Sequence, residues 1–434
     1  DDNNSGLNWD DPLKTITYAL SIINLPIDNP FNIYLGPGTY SNSETGETLP
    51  LNIPSFIILN GSGINLTIID GENISRNLSF DNTDYVVINN MSIINGNDDY
   101  GGCISIILSD IELSDLLIDN CEGSDGGGAI IIQNSNPIIN NVEISNSESD
   151  RGGGMYINNS FATLNNLNIH DNQAGYGGGG GILVQGGSLY LSNALIYNNS
   201  VQEGNGGGIN LSASNSPFFS NVTFKDNSAP EGSGGGIYFY NFSVPEFDSS
   251  NRCNIYSNQA MNGNDLDATQ NFYDEWSDSV MNVVLDTFSV LNPTDYYASP
   301  ISNFTFDILN GFLDQQMASE LFVSPDGDDS NSGLNWDEPL RTITHTLSVI
   351  YVDENQPGII SLASGVYSSD TNGEVFPLNL ISNITLLGTG ADETVIDAGF
   401  STPSNDILAG YYGDVDKLKN VENSPLGRQS FKLS

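Results

Sequence analysis

The strongest candidates for acid–base chemistry in this sequence are His170, Tyr197 and Lys225, which follow one another at nearly equal intervals. Asp171 and Asp226 directly follow the first and the third of them. Imidazole, phenol and ammonium groups can all transfer protons as general bases or acids. If the chain repeats with this interval, the three side chains stand on adjacent coils at a spacing of about 5 Å, as a base and acid pair for a polysaccharide. A solvated turn that tolerates any polar residue explains the same positions, and we favour that interpretation.

A repeated glycine triplet supplies the period. The triplets occupy positions 126–128, 152–154, 179–181, 206–208 and 234–236, so they recur at nearly equal intervals along the chain. A short apolar run follows each triplet, and the remaining stretches are β-branched and broken by Asn, Ser and Gly. Such stretches predict strands joined by tight turns. Because about 27 residues hold three strands and three turns, the sequence predicts an all-β solenoid, a parallel β-helix.

A column of asparagines keeps the same period. Asn172, Asn199, Asn227 and Asn258 each end a short motif that begins with an apolar or aromatic residue. Asparagine at one turn position on successive coils can form hydrogen bonds with the asparagine above and below. We therefore expect these four residues to form a buried ladder.

The clearest copy of the two motifs is Phe-Lys-Asp-Asn at residues 224–227 followed by Gly-Gly-Gly-Ile at residues 234–237. This alternation resembles the repeat of polymorphic outer membrane proteins, which are bacterial surface autotransporters. The similarity covers residues 99–260, and several copies have Ile in place of Phe. The resemblance implies a right-handed parallel β-helix of the pectate-lyase type, displayed outside the cell, with an adhesive role.

The N-terminal segment 1–71 has a near-copy later in the chain. The stretch that starts at Asp1 recurs from Asp328 onward without a gap. Each copy has an Asp/Asn/Gly loop, then a proline and apolar residues with helical spacing, and we expect residues 12–24 to form a helix that caps the first coil. The second copy begins with Val-Ser-Pro-Asp-Gly at residues 323–327, which resembles the VSPDGxDxNxG cap motif of bacterial surface β-helix proteins.

Clustered oxygen ligands in these loops predict a calcium site. Carboxylate and amide oxygens in a glycine-rich loop can ligate Ca²⁺. The proposed ligands are Asp326, Asp328, Asp329 and Asn331 in the second copy and Asp1, Asp2 and Asn4 in the first. The spacing is not that of an EF-hand, and Asp and Asn at turns also occur without a metal.

Charge excludes several classes of partner. The chain has 54 Asp and Glu against 10 Lys and Arg, a net charge of −44. Nucleic acid and anionic membrane surfaces require a basic footprint, so neither is an expected partner. The same charge argues against cleavage of a polyanion. No run of about 20 apolar residues is present, so no membrane insertion is expected. The pairing of Cys103, Cys121 and Cys253, and the use of the Asn-x-Ser/Thr sequons, stay open at this stage.

These patterns predict four segments: an N-terminal cap with first coils (1–71), a β-helix (72–300) whose regular coils span 99–260, a duplicated cap-like module (301–400) and a polar tail (401–434). Because the chain opens within a motif, we expect further sequence before residue 1. The predicted function is that of a secreted or cell-surface structural or adhesive protein, without catalysis, which binds surface glycans or itself end to end and is stabilised by calcium. The alternative is a polysaccharide lyase or glycoside hydrolase. Asp81 and Asp84 with Asp98 and Asp99 weakly resemble the paired acids of polygalacturonases, whose Gly-His-Gly and Arg-Ile-Lys elements are missing.

Overall fold

The computed structural model describes residues 1–23, 30–212, 216–240, 243–268, 280–289, 297–300, 303–312, 318–350, 357–374, 376, 378–380, 384–390, 393–398, 408–410 and 430–432. The chain divides into two compact units, Asp1–Phe312 and Leu313–Ser434. Each helix has seven residues, and no helix within the described ranges has the length and apolar character that a bilayer crossing requires.

The first unit is a right-handed parallel β-helix that follows one short helix. Its elements in chain order are α1 (Ile16–Ile22), β1 (Phe31–Tyr34), β2 (Gly38–Tyr40), β3 (Leu51–Asn52), β4 (Ile57–Asn60), β5 (Thr67–Asp70), β6 (Leu78–Asp81), β7 (Asp84–Ile94), β8 (Asn97–Tyr100), β9 (Ile104–Ile107), β10 (Asp110–Asp119), β11 (Glu122–Gly126), β12 (Ile130–Gln133), β13 (Ile138–Ser145), β14 (Glu148–Ser149), β15 (Met155–His170), β16 (Gln173–Ala174), β17 (Ile182–Tyr197), β18 (Ser200–Val201), β19 (Ile209–Ser212), β20 (Phe218–Lys225), β21 (Ser228–Ser233), β22 (Ile237–Tyr240), β23 (Glu246–Phe247), β24 (Cys253–Tyr256), β25 (Gln259–Asn262), β26 (Leu266–Asp267), β27 (Met281–Ser289), β28 (Ala298–Ser299) and β29 (Phe304–Phe312).

Stacking of one coil on the next produces a continuous apolar interior. Every strand pairing recorded in this unit is parallel, and partners lie about one period apart, as between β13 and β15 or β15 and β17. Side chains of alternate residues point into the solenoid. One interior column consists entirely of fully buried residues: Ile118, Ile144, Ile169, Ile196, Phe224, Ile255 and Phe288. The predicted β-helix is confirmed.

Asparagine and aspartate form the corners between strands. One corner column has φ between 49° and 57° at Asn95, Asn120, Asn146, Asp171, Asn198, Asp226 and Ser257. Left-handed backbone of this kind is unfavourable for most L-residues and is adopted most readily by Gly, then Asn and Asp. The residue types at this position therefore follow from backbone geometry.

The predicted asparagine ladder is confirmed and lies just inside that corner. The side-chain amide of Asn172 donates to Oδ1 of Asn199 at 2.9 Å, Asn199 to Asn227 at 3.0 Å, and Asn227 to Asn258 at 2.9 Å. The side chain of Asn258 donates in turn to Oδ1 of the fully buried Asp265 at 2.8 Å. Buried polar groups stay satisfied because each coil supplies the acceptor for the previous one.

Helix α1 is shorter than the cap expected over residues 12–24. It begins after Thr15, whose hydroxyl accepts the Tyr18 N–H, and it does not start at Pro12; residue 24 lies outside the described residues. The buried carboxylate of Glu47 accepts the N–H groups of Ile16 and Thr17 at 2.7 and 2.9 Å. These bonds satisfy donors that a helix start otherwise leaves unpaired.

A disulfide joins Cys103 and Cys121, whose Cα atoms are 5.5 Å apart, while Cys253 is a buried free thiol. Burial raises the pKa of the Cys253 thiol to about 12. The sequence left the pairing of these cysteines open, because residues 18 positions apart meet only if the coil turns at the right place.

The second unit repeats the cap and the beginning of a coil. Its elements are β30 (Glu320–Val323), α2 (Ile343–Val349), β31 (Gly358–Leu362), β32 (Gly365–Tyr367), β33 (Leu378–Leu380), β34 (Ile384–Leu387), β35 (Thr394–Asp397), β36 (Leu408–Gly410) and β37 (Ser430–Lys432). Glu374 has the same role at the start of α2 as Glu47 has at the start of α1. Its carboxylate accepts the N–H groups of Ile343 and Thr344. Two short strands, β36 and β37, lie within the segment 401–434, most of which is outside the described residues.

Candidate functional site

The structure brings His170, Tyr197 and Lys225 together at the ends of β15, β17 and β20. Strand register places each directly above the next. The rings of His170 and Tyr197 stack with centroids 4.8 Å apart and planes 18° apart, and Nζ of Lys225 lies 5.5 Å from the centre of the Tyr197 ring. The predicted column therefore exists as a geometric cluster. Whether it performs catalysis stays a prediction.

Carboxylates contact the residues at both ends of this column, His170 and Lys225. Nδ1 of His170 lies 2.6 Å from Oδ2 of Asp171, and its Nε2 lies 3.4 Å from Oε1 of Glu143. Lys225 forms a salt bridge with Asp226 at 3.2 Å. These pairs are what a polar surface column of alternating charge would form without any substrate.

In the predicted calcium loop of the first unit, Asp2 holds the start of α1. Its Oδ1 accepts the N–H groups of Lys14 and Thr15, both at 2.9 Å, and its Oδ2 accepts the Thr15 hydroxyl. Burial raises the pKa of Asp2, but the hydrogen bonds from Thr15 and Lys14 outweigh it and lower the pKa overall. Asp1 accepts two bonds from Asn3, and the Asn4 side chain donates to the Pro12 carbonyl at 2.7 Å.

The second loop repeats this arrangement. Asp329 accepts the N–H groups of Arg341 and Thr342 at 2.8 and 2.9 Å and the Thr342 hydroxyl at 2.8 Å. Asp328 accepts both donors of Ser330, and Asn331 donates to a main-chain carbonyl. Asp326 is exposed. In the part of the chain that the structure describes, no group of three His, Cys, Asp or Glu side chains is placed to hold a metal ion. The calcium site stays a prediction, and the observed role of these loops is helix capping.

A cleft on the outer surface of the coils was not predicted from the sequence. It has a volume of about 520 Å³ and is lined by Arg151, Gly177, Leu183, Gln185, Asn205, Asn210, Ser212, Tyr238 and Tyr240. Ligand-binding clefts in proteins have volumes of roughly 300–1,000 Å³. This cleft is large enough for part of an oligosaccharide.

A column of outward-facing residues, each the second residue of its strand, contributes Leu183, Asn210 and Tyr238 to the lining of the cleft. Tyr156 of β15 is in register with Leu183 of β17, then Asn210 of β19 and Tyr238 of β22. All four are at least nine-tenths buried although they lie on the outer face. The segments containing the glycine triplets fold over them: a Cβ added at Gly126 would lie 2.7 Å from the Tyr156 ring. Glycine before each strand therefore allows the backbone to approach the outer face.

One polar atom in this column has no partner. The side-chain nitrogen of Asn210 donates to the Asn205 carbonyl at 3.2 Å, while its Oδ1 is buried and accepts no hydrogen bond. The amide orientation follows from the Asn205 carbonyl, which can accept only from the nitrogen. A buried acceptor that lacks a donor is costly, by about 1–3 kcal/mol. Oδ1 of Asn210, on a residue that lines the cleft, is therefore an unused acceptor.

The rest of the lining combines aromatic faces with hydrogen-bond donors. The rings of Tyr238 and Tyr240 stack with centroids 6.4 Å apart. Burial, with a further contribution from Asp267, raises the pKa of Tyr238, so its hydroxyl stays protonated at neutral pH. The Tyr156 hydroxyl donates to Oε1 of Gln185. Burial raises the pKa of Tyr156, while the positive charge of Arg151 acts in the opposite direction.

Sequence reasoning missed this cleft although a signal was present. The position two residues after each glycine triplet changes from Tyr156 to Leu183, Asn210 and Tyr238, whereas the flanking interior positions stay apolar. The polar residue in that column, Asn210, was the signal for a site on the outer face. The signal could be recognised only with the knowledge that loops cover this column.

One family model agrees with the β-helix fold. Residues 118–273 match the family model described as right handed beta helix region, and residues 325–423 match a protein family of unknown function, DUF1565. A search of curated protein sequences gives no match. Among solved structures, the chain is similar to a PL6 family alginate lyase, AlyGC, at 11% identity and a TM-score of 0.31, covering 87% of this chain and 66% of that one. It is also similar to the A-module of the mannuronan C-5 epimerase AlgE4 of Azotobacter vinelandii, at 14% identity and a TM-score of 0.20, covering 50% of this chain and 85% of that one. The chain thus spans just under two thirds of the lyase chain.

Proposed function

We propose that the protein is a non-catalytic, secreted or surface-displayed β-helix protein that adheres to glycans through the outer cleft. The observation that carries this proposal is the buried, unpartnered Oδ1 of Asn210 beneath a cleft lined by stacked tyrosines and amides. Sugars offer hydroxyl donors for such an acceptor and C–H faces for aromatic rings. The cleft supplies both kinds of contact side by side.

The composition of the lining supports binding over cleavage. None of the nine lining residues is a carboxylate, a histidine or a lysine. Glycoside hydrolysis uses a pair of carboxylic acids across the scissile bond. The residues of the cleft offer fixed hydrogen bonds and aromatic surface, which are the elements of a binding site.

Strands in register also keep the site rigid. Gln185, Ser212 and Tyr240 occupy one column on consecutive coils, and main-chain hydrogen bonds on both sides hold each strand. A ligand that spans several coils therefore contacts groups that are already in position, and little conformational entropy is lost on binding. This property suits an adhesive protein.

A polysaccharide lyase is the second candidate, favoured by the stacked arrangement of His170, Tyr197 and Lys225. In that case the column supplies a base and an acid. Incubation of the full chain with a panel of glycans, followed by assay of new reducing ends, tests it. Product formation that disappears in His170→Ala and Tyr197→Phe would replace binding by catalysis as the function.

Self-association and calcium stabilisation extend the proposal beyond the cleft. The duplicated cap supplies the sequence-level support, since each copy begins a new stack of coils. Electron microscopy of the purified protein with and without Ca²⁺ tests both features. Calcium-dependent rods support them, and isolated particles under both conditions count against them.

Binding in the cleft is tested with glycan arrays and calorimetry on the wild-type protein and two variants. Asn210→Leu removes the acceptor and introduces the residue that the previous coil has in the same column, Leu183, so the fold tolerates it. Gln133→Ala is the matched control because Gln133 belongs to the Gln185 column but lies two coils away. We expect wild type and Gln133→Ala to bind the same glycans and Asn210→Leu to lose about tenfold or more in affinity. Equal binding by all three chains would contradict the proposal.

A further inference from the structure

Arg151 places a positive charge at the cleft of a strongly acidic protein. We infer that the bound glycan carries an isolated carboxylate, as in one uronic acid among neutral sugars, and that this carboxylate pairs with Arg151. The inference rests on the proposed function and specifies the chemical class of its ligand.

Among the described residues, Arg151 forms no salt bridge with a carboxylate, and the same holds for Lys14 and Arg341, whereas three other cations of the chain are paired. Arg76 pairs with Asp98 at 2.8 Å, Lys225 with Asp226 at 3.2 Å, and Arg252 with Asp307 at 2.8 Å. No such salt bridge involves Arg151 anywhere in the described ranges, although the chain has 54 acidic residues. A guanidinium that lines a cleft without a carboxylate can accept one from a ligand.

The surroundings of Arg151 hold it in place. A Cβ added at Gly177 would lie 2.2 Å from Cγ of Arg151, so glycine at this position leaves room for the arginine stem. The guanidinium acts to lower the pKa of the Tyr156 hydroxyl against the larger effect of burial, and that hydroxyl donates its own proton to Gln185. The guanidinium has five N–H groups, so donors remain for a bidentate carboxylate contact. The amide nitrogen of Gln185 is a further donor beside it.

The remaining lining residues indicate that the rest of the ligand is neutral. Asn210 carries an unused acceptor for a hydroxyl, and the partly exposed ring of Tyr240 supplies apolar surface. The net charge of −44 repels a densely charged polyanion, an effect that salt weakens. One carboxylate facing one arginine avoids most of that repulsion. The cleft therefore favours a sparsely charged chain over a polyuronate.

The test uses matched oligosaccharides on the full-length protein: a neutral oligosaccharide, the same compound with one sugar oxidised to a uronic acid, and the same compound with one sulfate ester. Calorimetry measures each with wild type, Arg151→Gln and Arg151→Lys. Arg151 is exposed, so its replacement leaves the core intact, and an unchanged thermal midpoint verifies this.

We expect wild type to bind the carboxylated compound about tenfold more tightly than the neutral one. Arg151→Gln binds the neutral and carboxylated compounds with equal affinity, and Arg151→Lys retains part of the preference because a lysine cannot form the bidentate contact. Equal affinity of wild type for the neutral and carboxylated compounds overturns the inference and leaves the proposed function standing. A preference for the sulfate ester over the carboxylate overturns the assignment to a uronic acid. Absence of binding to all three, and to the glycan array, overturns both proposals.

Discussion

Replacement of Asp265 by asparagine is expected to stabilise the protein in a pH-dependent way. Asp265 is fully buried and ends the asparagine ladder. Its Oδ1 accepts the main-chain N–H of Asn258 at 3.2 Å and the side-chain amide at 2.8 Å. An asparagine provides the same acceptor on each earlier coil, as Asn258 does for Asn227. Asp265→Asn therefore keeps the Oδ1 acceptor, replaces the unpaired Oδ2 by an amide nitrogen and removes the ionisable group.

The size of the effect follows from the pKa of Asp265. Burial raises it from 3.8 to about 7, although hydrogen bonds from Asn258 and Ser289 act in the opposite direction. Each pKa unit corresponds to about 1.4 kcal/mol, so ionisation costs the folded state about 4 kcal/mol above pH 7. Between pH 3.8 and 7 the folded protein retains a proton that the unfolded chain has lost, so the stability falls as the pH rises in this window.

Urea unfolding followed by circular dichroism, at pH values from 5 to 8, measures this difference. The range avoids the isoelectric point of about 4.1. We expect Asp265→Asn to raise the free energy of unfolding by about 2 kcal/mol at pH 5 and by about 4 kcal/mol at pH 8. Asp248→Asn is the control. Hydrogen bonds from Asn251, Ser220 and Ser250 lower the pKa of Asp248 to about 2, so it is ionised in both states throughout this range. Its replacement should destabilise the protein equally at every pH. A gain from Asp265→Asn that does not change with pH would refute the reasoning.

Three further predictions concern stability. Asn199→Ala removes the acceptor of Asn172 and three donor bonds from the buried ladder, and we expect it to lower the free energy of unfolding by about 3 kcal/mol or more in urea titrations. Asp329→Ala removes three hydrogen bonds at the start of α2 and should lower the free energy of unfolding by about 1–2 kcal/mol. Asp337→Ala, at an exposed position, should change it little. If the effect of Asp329→Ala disappears when a chelator is present, the result supports the calcium site instead. Replacement of Cys103 and Cys121 by alanine opens a loop of 18 residues and should cost about 3 kcal/mol, and no change in the unfolding midpoint would show that the disulfide does not constrain the unfolded chain.

The sequence was sufficient for features that repeat with the coil. Asn172 and Asn199 could be placed in one ladder because identical residues at one period must stack once the chain is a solenoid. The same argument placed His170 next to Tyr197 in one column. In both cases the position within the repeat determines the neighbour, so no further tertiary information was needed.

Features that depend on how loops cross the coil surface could not be predicted. The cleft exists because glycine segments cover outward-facing residues such as Tyr156 and Asn210, and spacing does not encode that path. The Cys103–Cys121 disulfide depends in the same way on the path between two corners. The roles of Glu47 and Glu374 were missed because each lies more than one coil away in sequence from the helix start that it contacts.

The most direct test of the central claim is hydrogen–deuterium exchange of the full chain with and without a glycan selected on the array. The account predicts new protection of main-chain amides in residues 177–185 and 205–212, which contribute Gln185 and Asn210 to the cleft. Protection confined to the turns around His170, Tyr197 and Lys225 would move the site to the polar column and favour the lyase. No protection in either region would contradict binding by this face of the β-helix.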